Sequence, residues 1–220
     1  MNIPSEVLPT GLMLTSHLAL ATLGVVAVRQ APWRALTANS MQHVLGGALV
    51  SLLLLWSFRA GVTPGLGYHF LGVTVLTLMF GWSLATLAVI VLGLGLAVSG
   101  KLDWYELSLT MLLTGVLPVT ISYLIQHWVT RRLPTNPFVY IFVCGFFGAI
   151  FAALVTVLAV VGVLVLLDAY SFSRIAREYL PFLPLYLFPE GLMNGMLTAV
   201  FVGLKPEWLR TFDEARYFRS

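Results

Sequence analysis

Thirty consecutive residues, 138–167, carry no charged side chain, and this run constrains the fold more than any other feature. A transmembrane helix needs about 20 apolar residues, whereas a transmembrane strand needs only about ten. A run of this length therefore predicts a helix that crosses a membrane. The composition agrees, because 59% of the residues are hydrophobic and only 10% are charged, against about 25% in a soluble domain.

The other apolar runs extend this prediction to an all-α, polytopic bundle of about seven transmembrane helices. The helices are predicted at about 7–28, 40–58, 70–80, 83–99, 107–129, 138–167 and 179–204. The third is short, about 17 Å at 1.5 Å per residue, so the loop before it is expected to dip into the membrane. Gly81 and Trp82 predict a tight hairpin into the fourth helix. Pro181, Pro184 and Pro189 predict breaks in the seventh.

Basic residues predict the orientation of the bundle. Residues 29–34 and 168–178 are expected to be polar loops, and placing the first in the cytoplasm leaves eight bases inside and four outside. Cytoplasmic loops carry the excess of Lys and Arg, so we expect the N-terminus outside and the C-terminus inside. The inner set is Arg29, Arg34, Arg131, Arg132, Lys205, Arg210, Arg216 and Arg219, and the outer set is Arg59, Lys101, Arg174 and Arg177. Since these bases lie at helix ends, the net charge of +3 favours a role in the lipid bilayer over nucleic-acid binding.

A histidine set among glycines is the first candidate functional residue. Residues 65–72 read G-L-G-Y-H-F-L-G, with His69 at the start of the third helix. Glycine lets the backbone bend or approach a neighbour closely, which suits an imidazole that meets a ligand at the membrane boundary. The plainer alternative is that His69 anchors a helix end at the headgroups. We treat 1–220 as a single domain and expect residues 1–9 to fold back toward the loop at 59–70, on the same outer side.

Polar residues inside predicted helices are the next candidates. Glu190 is the only acid deep in a predicted span, and burying a carboxylate is costly unless it is paired or hydrogen-bonded. Two interpretations stay open: it binds backbone freed by Pro189, or it orients a metal-ligating histidine. Asn194 lies four residues on, on the same helix face. His17, in the middle of the first helix, is a weaker candidate for a polar interior.

Enzymatic activity is not predicted. Residues 95–102, G-L-A-V-S-G-K-L, are close to a P-loop, but Leu102 stands where Ser or Thr must reach the magnesium ion. This segment also closes a predicted helix on the outer face, so we expect another chain to hydrolyse any ATP used. No Ser–His, paired-Asp or H-E-x-x-H arrangement supports a membrane-embedded hydrolase.

Three motifs in the same order resemble those of one family. M-N-I-P-S-E-V-L-P is similar to M-H-I-P-D-G-x-L-P, G-L-G-Y-H-F-L-G to G-x-S-x-H-L-x-G, and P-E-G-L-M-N-G-M to an E-x-x-x-T-G segment. The family comprises the cobalt/nickel substrate-binding components of energy-coupling factor ABC transporters (CbiM/NikM type). The resemblance implies a substrate-capture permease subunit for divalent metal uptake in a bacterial inner membrane, linked to cobalamin biosynthesis. It also implies a transmembrane coupling subunit and ATPase subunits as partners.

The resemblance also implies a ligand set. In this family the metal is held by the N-terminal amine, by the amide nitrogen and imidazole of the second residue, and by the loop histidine. The implied ligands of Co²⁺ or Ni²⁺ are therefore Met1, Asn2 and His69, with Glu190, Asn194 and His17 in support. Asn2 departs from the family's histidine, and its side-chain amide is a poorer ligand for these metals. This departure leaves the metal's identity open and motivates an alternative, a divergent membrane accessory or assembly protein that does not transport.

Overall fold

The computed structural model describes residue 3 and residues 5–37, 41–58 and 66–218, and the regular structure in these ranges is helical. The all-α prediction is therefore confirmed for the described part of the chain. Five segments are long and apolar enough to cross a membrane, as a multi-pass membrane protein requires: Thr10–Gln30, Val73–Val98, Leu107–Arg132, Pro137–Leu166 and Phe172–Leu204. The apolar helix Met41–Ser57 is shorter.

The helices are numbered along the chain. They are α1 (Thr10–Gln30), α2 (Trp33–Thr37), α3 (Met41–Ser57), α4 (Val73–Val98), α5 (Leu107–Arg132), α6 (Pro137–Leu166), α7 (Phe172–Glu178), α8 (Leu183–Leu204) and α9 (Glu214–Phe218). Short π-helical segments interrupt α5 at Leu112–Val116 and α6 at Tyr140–Phe147. Single 3₁₀ turns lie at Ser5–Val7, Leu180–Phe182 and Pro206–Trp208.

Two helices meet at Gly81 within α4. This residue has φ 75° and ψ 175°, a backbone conformation that is essentially restricted to glycine. The first half, residues 73–80, is about 12 Å long at 1.5 Å per residue, and we call it the half-helix. The second half comprises residues 82–98. The predicted break at Gly81 is therefore confirmed.

Hydrogen bonds at the helix ends give the direction of neighbouring segments. Thr10, at the start of α1, bonds to Tyr105 beyond the end of α4 (3.2 Å between hydroxyl oxygens), whereas the Gln30 carbonyl at the end of α1 accepts from Ser83 (3.5 Å). α1 and the second half of α4 are therefore antiparallel.

The end of α3 bonds to the loop that precedes α4, so α3 and the half-helix are antiparallel as well. A Cβ at Gly72 would lie 2.7 Å from Leu52 of α3, and a Cβ at Gly95 would lie 3.4 Å from Leu53. The start of the half-helix and the end of the second half of α4 therefore lie at the same part of α3, and the chain reverses at the glycine.

A C-terminal strap, residues 209–212, closes one end of the half-helix. The backbone N–H groups of Arg210 and Thr211 donate to the carbonyls of Met79 and Leu78 (3.1 and 3.2 Å). The Thr211 hydroxyl also donates to Leu78 (2.7 Å), and the Arg210 guanidinium donates to the Phe80 carbonyl (3.3 Å). The last carbonyls of a helix have no partner within it, and here the strap supplies the donors.

Close packing of α8 on α6 fixes the position of the polar side chains on α8. A Cβ at Gly191 would lie 2.5 Å from Ile150 Cγ1, and a Cβ at Gly145 would lie 2.8 Å from Thr198 Oγ1. Only glycine permits these approaches, in the way that small residues let membrane helices pack closely. Small residues recur every four positions on α6, at Gly145, Ala149 and Ala153, and all three are buried.

The seven predicted helices all have counterparts in the described residues: α1, α3, the two parts of α4, α5, α6 and α8. The helix α3 has 17 residues, which extend about 26 Å at 1.5 Å per residue, less than the roughly 30 Å of a hydrocarbon core. The predicted polar loops are wrong, because the loop at 29–34 contains the start of α2 and the loop at 168–178 contains the whole of α7.

The prolines also act differently from the prediction. Pro184 lies in the first turn of α8, where its missing N–H would have no helical partner. Pro189 lies inside α8, which continues through it, as neighbouring helices allow in membrane proteins. Only Pro181 lies outside the regular helix, in a 3₁₀ turn.

Candidate metal centre

His69 lies in the loop between α3 and α4 and is only 6% exposed. Its Nδ1 lies 3.2 Å from the Phe70 carbonyl oxygen. A carbonyl can only accept, so this contact requires a proton on Nδ1. The Trp56 ring lies beside the imidazole, with ring centroids 5.2 Å apart at 52°. The imidazole is thus held in the protein interior between its own loop and Trp56.

The peptide groups that follow His69 are held by side chains of two helices. Glu190 of α8 accepts the Leu71 N–H at Oε2 (2.8 Å) and the Gly72 N–H at Oε1 (2.9 Å). Trp56 of α3 donates its indole N–H to the Leu71 carbonyl (2.8 Å). Gly72 itself has φ 64°, and a Cβ there would lie 2.7 Å from Leu52 Cδ2. The backbone conformation and the space around it therefore both require glycine at this position.

Asn194 extends this network by one helical turn. Its Oδ1 accepts the Val75 N–H (2.9 Å), and its Nδ2 donates to Glu190 Oε1 (2.8 Å). The first N–H groups of a helix have no partner within it, so Glu190 and Asn194 together cap the start of the half-helix. Glu190 is 1% exposed, and its three N–H donors offset part of the cost of burying a carboxylate.

Tyr68 anchors the loop on the other side of His69. Its ring stacks on Tyr179, with centroids 4.3 Å apart, and on Tyr186 at 4.8 Å. Its hydroxyl donates to the Tyr179 carbonyl (2.9 Å). Burial raises the pKa of Tyr68 to about 12, so the hydroxyl keeps its proton and remains a donor at neutral pH.

Glu190 and Asn194 thus lie beside the histidine loop, and the carboxylate binds loop amides rather than backbone at Pro189. Trp56, Tyr68 and the Leu71 peptide were missed in the sequence. The one available signal for Trp56 was its position near the end of an apolar helix that leads into a glycine-rich loop.

The remaining predicted site residues lie elsewhere or outside the described ranges. His17 lies on α1, where its Nδ1 contacts the Met13 carbonyl of the same helix (2.8 Å). Met1, Asn2 and residues 59–65 lie outside the described ranges. Ile3, however, is 1% exposed, so the side chain of this residue is buried in the protein.

No group of three or more His, Cys, Asp or Glu side chains converges to hold a metal ion within residues 5–37, 41–58 and 66–218. His69 is therefore one candidate ligand whose partners would have to come from other kinds of donor or from other residues. An N-terminal amine and backbone amides are donors of that kind.

The fold and this loop define an all-α, multi-pass membrane protein with a buried histidine held by hydrogen-bonded neighbours. A family model described as the cobalt uptake substrate-specific transmembrane region (CbiM) matches residues 2–208. The match covers nearly the whole chain, so the chain belongs to this family of membrane transport components. Neither the curated proteins nor the solved structures gave a match.

Proposed function

We propose that the chain is the substrate-capture subunit of an energy-coupling factor ABC transporter that takes up Co²⁺ or Ni²⁺ across a bacterial inner membrane. The observation that carries the proposal is the family match over residues 2–208, combined with a buried loop histidine. Cobalt taken up in this way would serve cobalamin biosynthesis. The metal is the transported substrate of this protein, so its site must be able to release the metal as well as bind it.

The proposed ligands are Met1, Asn2 and His69. Met1 contributes its terminal amine, whose pKa of about 7.7–8.0 lets a metal displace the proton at neutral pH. Asn2 contributes its main-chain nitrogen and its side-chain oxygen, and His69 contributes Nε2. We also propose that segment 1–9 folds back toward the loop at 59–70; the burial of Ile3, which is 1% exposed, supports an N-terminal segment that packs against the bundle. Glu190 and Asn194 support the site by holding the loop, and His17 is proposed as a more distant contributor.

The proposed partners are a transmembrane coupling subunit and ATPase subunits. A P-loop follows a strand and opens a helix, whereas residues 95–102 end α4 and lead into a turn. ATP would therefore be hydrolysed by another chain.

Uptake of radioactive Co²⁺ or Ni²⁺ into cells with and without the chain tests this proposal. We expect uptake to depend on the chain and to be lost in His69→Ala. Adding Gly-Ser before Met1 moves the amine away from the site, so it should have the same effect. The exposed-residue control Trp33→Phe should leave uptake unchanged. Equal uptake with and without the chain, together with unchanged metal binding in His69→Ala, would remove the proposal.

A second candidate is a divergent accessory or assembly protein of the same fold, and Asn2 in place of the family's histidine favours it. Imidazole is a better ligand for Co²⁺ and Ni²⁺ than a side-chain amide. Copurification separates the two candidates, because a transporter component should bring down a coupling subunit and an ATPase. The variant Asn2→His should raise metal affinity if the site is intact, and should have no effect if the site has been lost.

A further inference from the structure

The backbone N–H and C=O of Leu71 are held by side chains from two different helices. Its N–H donates to Glu190 on α8, and its C=O accepts from Trp56 on α3, each over 2.8 Å. We propose that Trp56 is a positioning residue, which sets the orientation of the His69 imidazole through its ring and through the Leu71 carbonyl. This inference rests on the proposed function, because it concerns the same metal site.

Trp56 acts on the loop at two points that are two residues apart. It is 2% exposed, its ring lies beside the His69 ring, and its indole N–H reaches the Leu71 carbonyl. A planar peptide has only two soft torsions per residue, so fixing the Leu71 carbonyl restricts the backbone from which His69 extends. The ring contact restricts the side chain itself. A ligand held in this way loses less conformational entropy when the metal binds.

The indole donor specifies this geometry better than packing alone would. A buried N–H that loses its partner is costly, so the loop is favoured where the Leu71 carbonyl meets the indole. Trp56 and Glu190 also join α3 to α8 through the loop. Next to the loop, these two helices and the half-helix line an apolar cavity of about 670 Å³. The orientation of His69 therefore depends on both helices.

Trp82 provides a matched control for this role. Its indole N–H also donates to a partner on another helix, the Thr120 hydroxyl (3.0 Å), and it lies beside the break at Gly81, at the opposite end of the half-helix from His69. Trp56→Phe and Trp82→Phe therefore each remove one indole hydrogen bond, and only the first touches the loop.

The test is a Co²⁺ titration of the purified full-length protein in detergent, followed by the visible absorption of the bound ion. We expect Trp56→Phe to weaken Co²⁺ binding about tenfold, or about 1.4 kcal/mol, because the metal must then order an imidazole that Trp56 no longer holds. The absorption bands should also shift, because the imidazole orientation changes. Trp82→Phe should stay within about twofold of wild type, a change of at most about 0.4 kcal/mol, with unchanged bands.

A metal-free measurement separates this inference from the proposed function. Trp56 is replaced by benzothienylalanine, which keeps a fused ring of similar size and lacks the N–H, so ring-current effects are matched. We expect the His69 ring resonances, identified by their absence in His69→Ala, to shift in this protein and to stay in place in Trp82→Phe. The positioning role would be overturned if the benzothienylalanine protein kept the wild-type His69 resonances and Trp56→Phe kept the wild-type Co²⁺ affinity and absorption bands. If His69→Ala binds Co²⁺ as well as wild type, the proposed metal site fails, and the resonances alone still decide whether Trp56 positions the ring.

Discussion

The two ends of the half-helix are closed by different means. At its start, the N–H groups of the loop and first turn donate to the side chains of Glu190 and Asn194. At its end, the carbonyls accept from two backbone N–H groups of the C-terminal strap and from the side chains of Arg210 and Thr211. A side chain can be lost by one substitution, whereas a backbone N–H is lost only to proline or truncation. The start is therefore specified by residue identity, whereas the end depends in part on the path of the chain.

The candidate site lies at the start of the half-helix, and we expect the contacts at its end to serve only the stability of the fold. His69 lies just before the start of the half-helix and shares its side-chain caps, while the strap lies at the opposite end. We expect changes at the start to alter both metal binding and stability, and changes at the end to alter stability alone. The four predictions below test this separation.

The largest effect is expected for Glu190→Ala, which leaves the N–H groups of Leu71 and Gly72 buried without an acceptor. We expect the free energy of unfolding to fall by about 3–5 kcal/mol and Co²⁺ binding to be lost. Thermal unfolding in detergent and a Co²⁺ titration measure these two effects. Glu178→Ala is the control, because its ion pair with Arg174 is exposed and should contribute less than about 0.5 kcal/mol. Equal stability of the two variants would show that the carboxylate does not hold the loop.

Truncation at the C-terminal strap should give the next largest effect. A chain that ends at Trp208 loses the donors to three carbonyls of the half-helix, and its unfolding free energy should fall by about 2–4 kcal/mol. A chain that ends at Phe212 keeps the strap and lacks only α9, so the difference between the two chains isolates the strap. Co²⁺ affinity should stay within about twofold in both, a change of at most about 0.4 kcal/mol. A large loss of affinity on removing the strap would mean that the two ends are not separate.

Gly72→Ala should have an intermediate effect. The residue has φ 64°, and the new Cβ would lie 2.7 Å from Leu52 Cδ2, so backbone strain and overpacking together should cost about 2–3 kcal/mol. Gly100→Ala has φ 70° and open space around its Cβ, and should cost about 1–2 kcal/mol. Thermal unfolding of the two proteins measures the overpacking as a difference. If Gly72→Ala is no less stable than Gly100→Ala, the Leu52 side chain does not restrict the space at this position.

Thr211→Val should have the smallest effect. It removes the hydroxyl bond to the Leu78 carbonyl and the 2.6 Å contact with the Tyr140 hydroxyl, but keeps the backbone N–H donor. We expect a loss of about 1 kcal/mol in stability and unchanged Co²⁺ affinity. Thr22→Val on the exposed face of α1, whose hydroxyl bonds to its own helix, should stay within about 0.5 kcal/mol of wild type. A weaker Co²⁺ affinity in Thr211→Val but not in Thr22→Val would show that the two ends of the half-helix are energetically coupled.

The sequence was sufficient for features governed by local chemistry. Long runs without charge predicted membrane helices, and Gly81 predicted the reversal within α4. Glu190 was also recognisable as a residue that needs partners, since an acid inside an apolar helix is rare.

The partners themselves were not predictable from the sequence. The choice of N–H groups that donate to Glu190 depends on how α8 packs on α6. The hydrogen bond from Trp56 to the Leu71 carbonyl joins α3 to the loop that follows it. α7 was missed because its polar sequence shows no long apolar run, and its helix is short and mostly exposed. The strap was missed because two of its four hydrogen bonds to the half-helix use backbone N–H groups, which any residue except proline provides.

X-ray absorption at the cobalt edge, with Co²⁺ bound to the purified wild-type protein and to His69→Ala, shows whether the His69 imidazole is a metal ligand. We predict nitrogen-dominated coordination that includes one imidazole in the wild type, and loss of that imidazole together with most of the binding in His69→Ala. The same cobalt occupancy and the same imidazole scattering in both proteins would contradict this prediction.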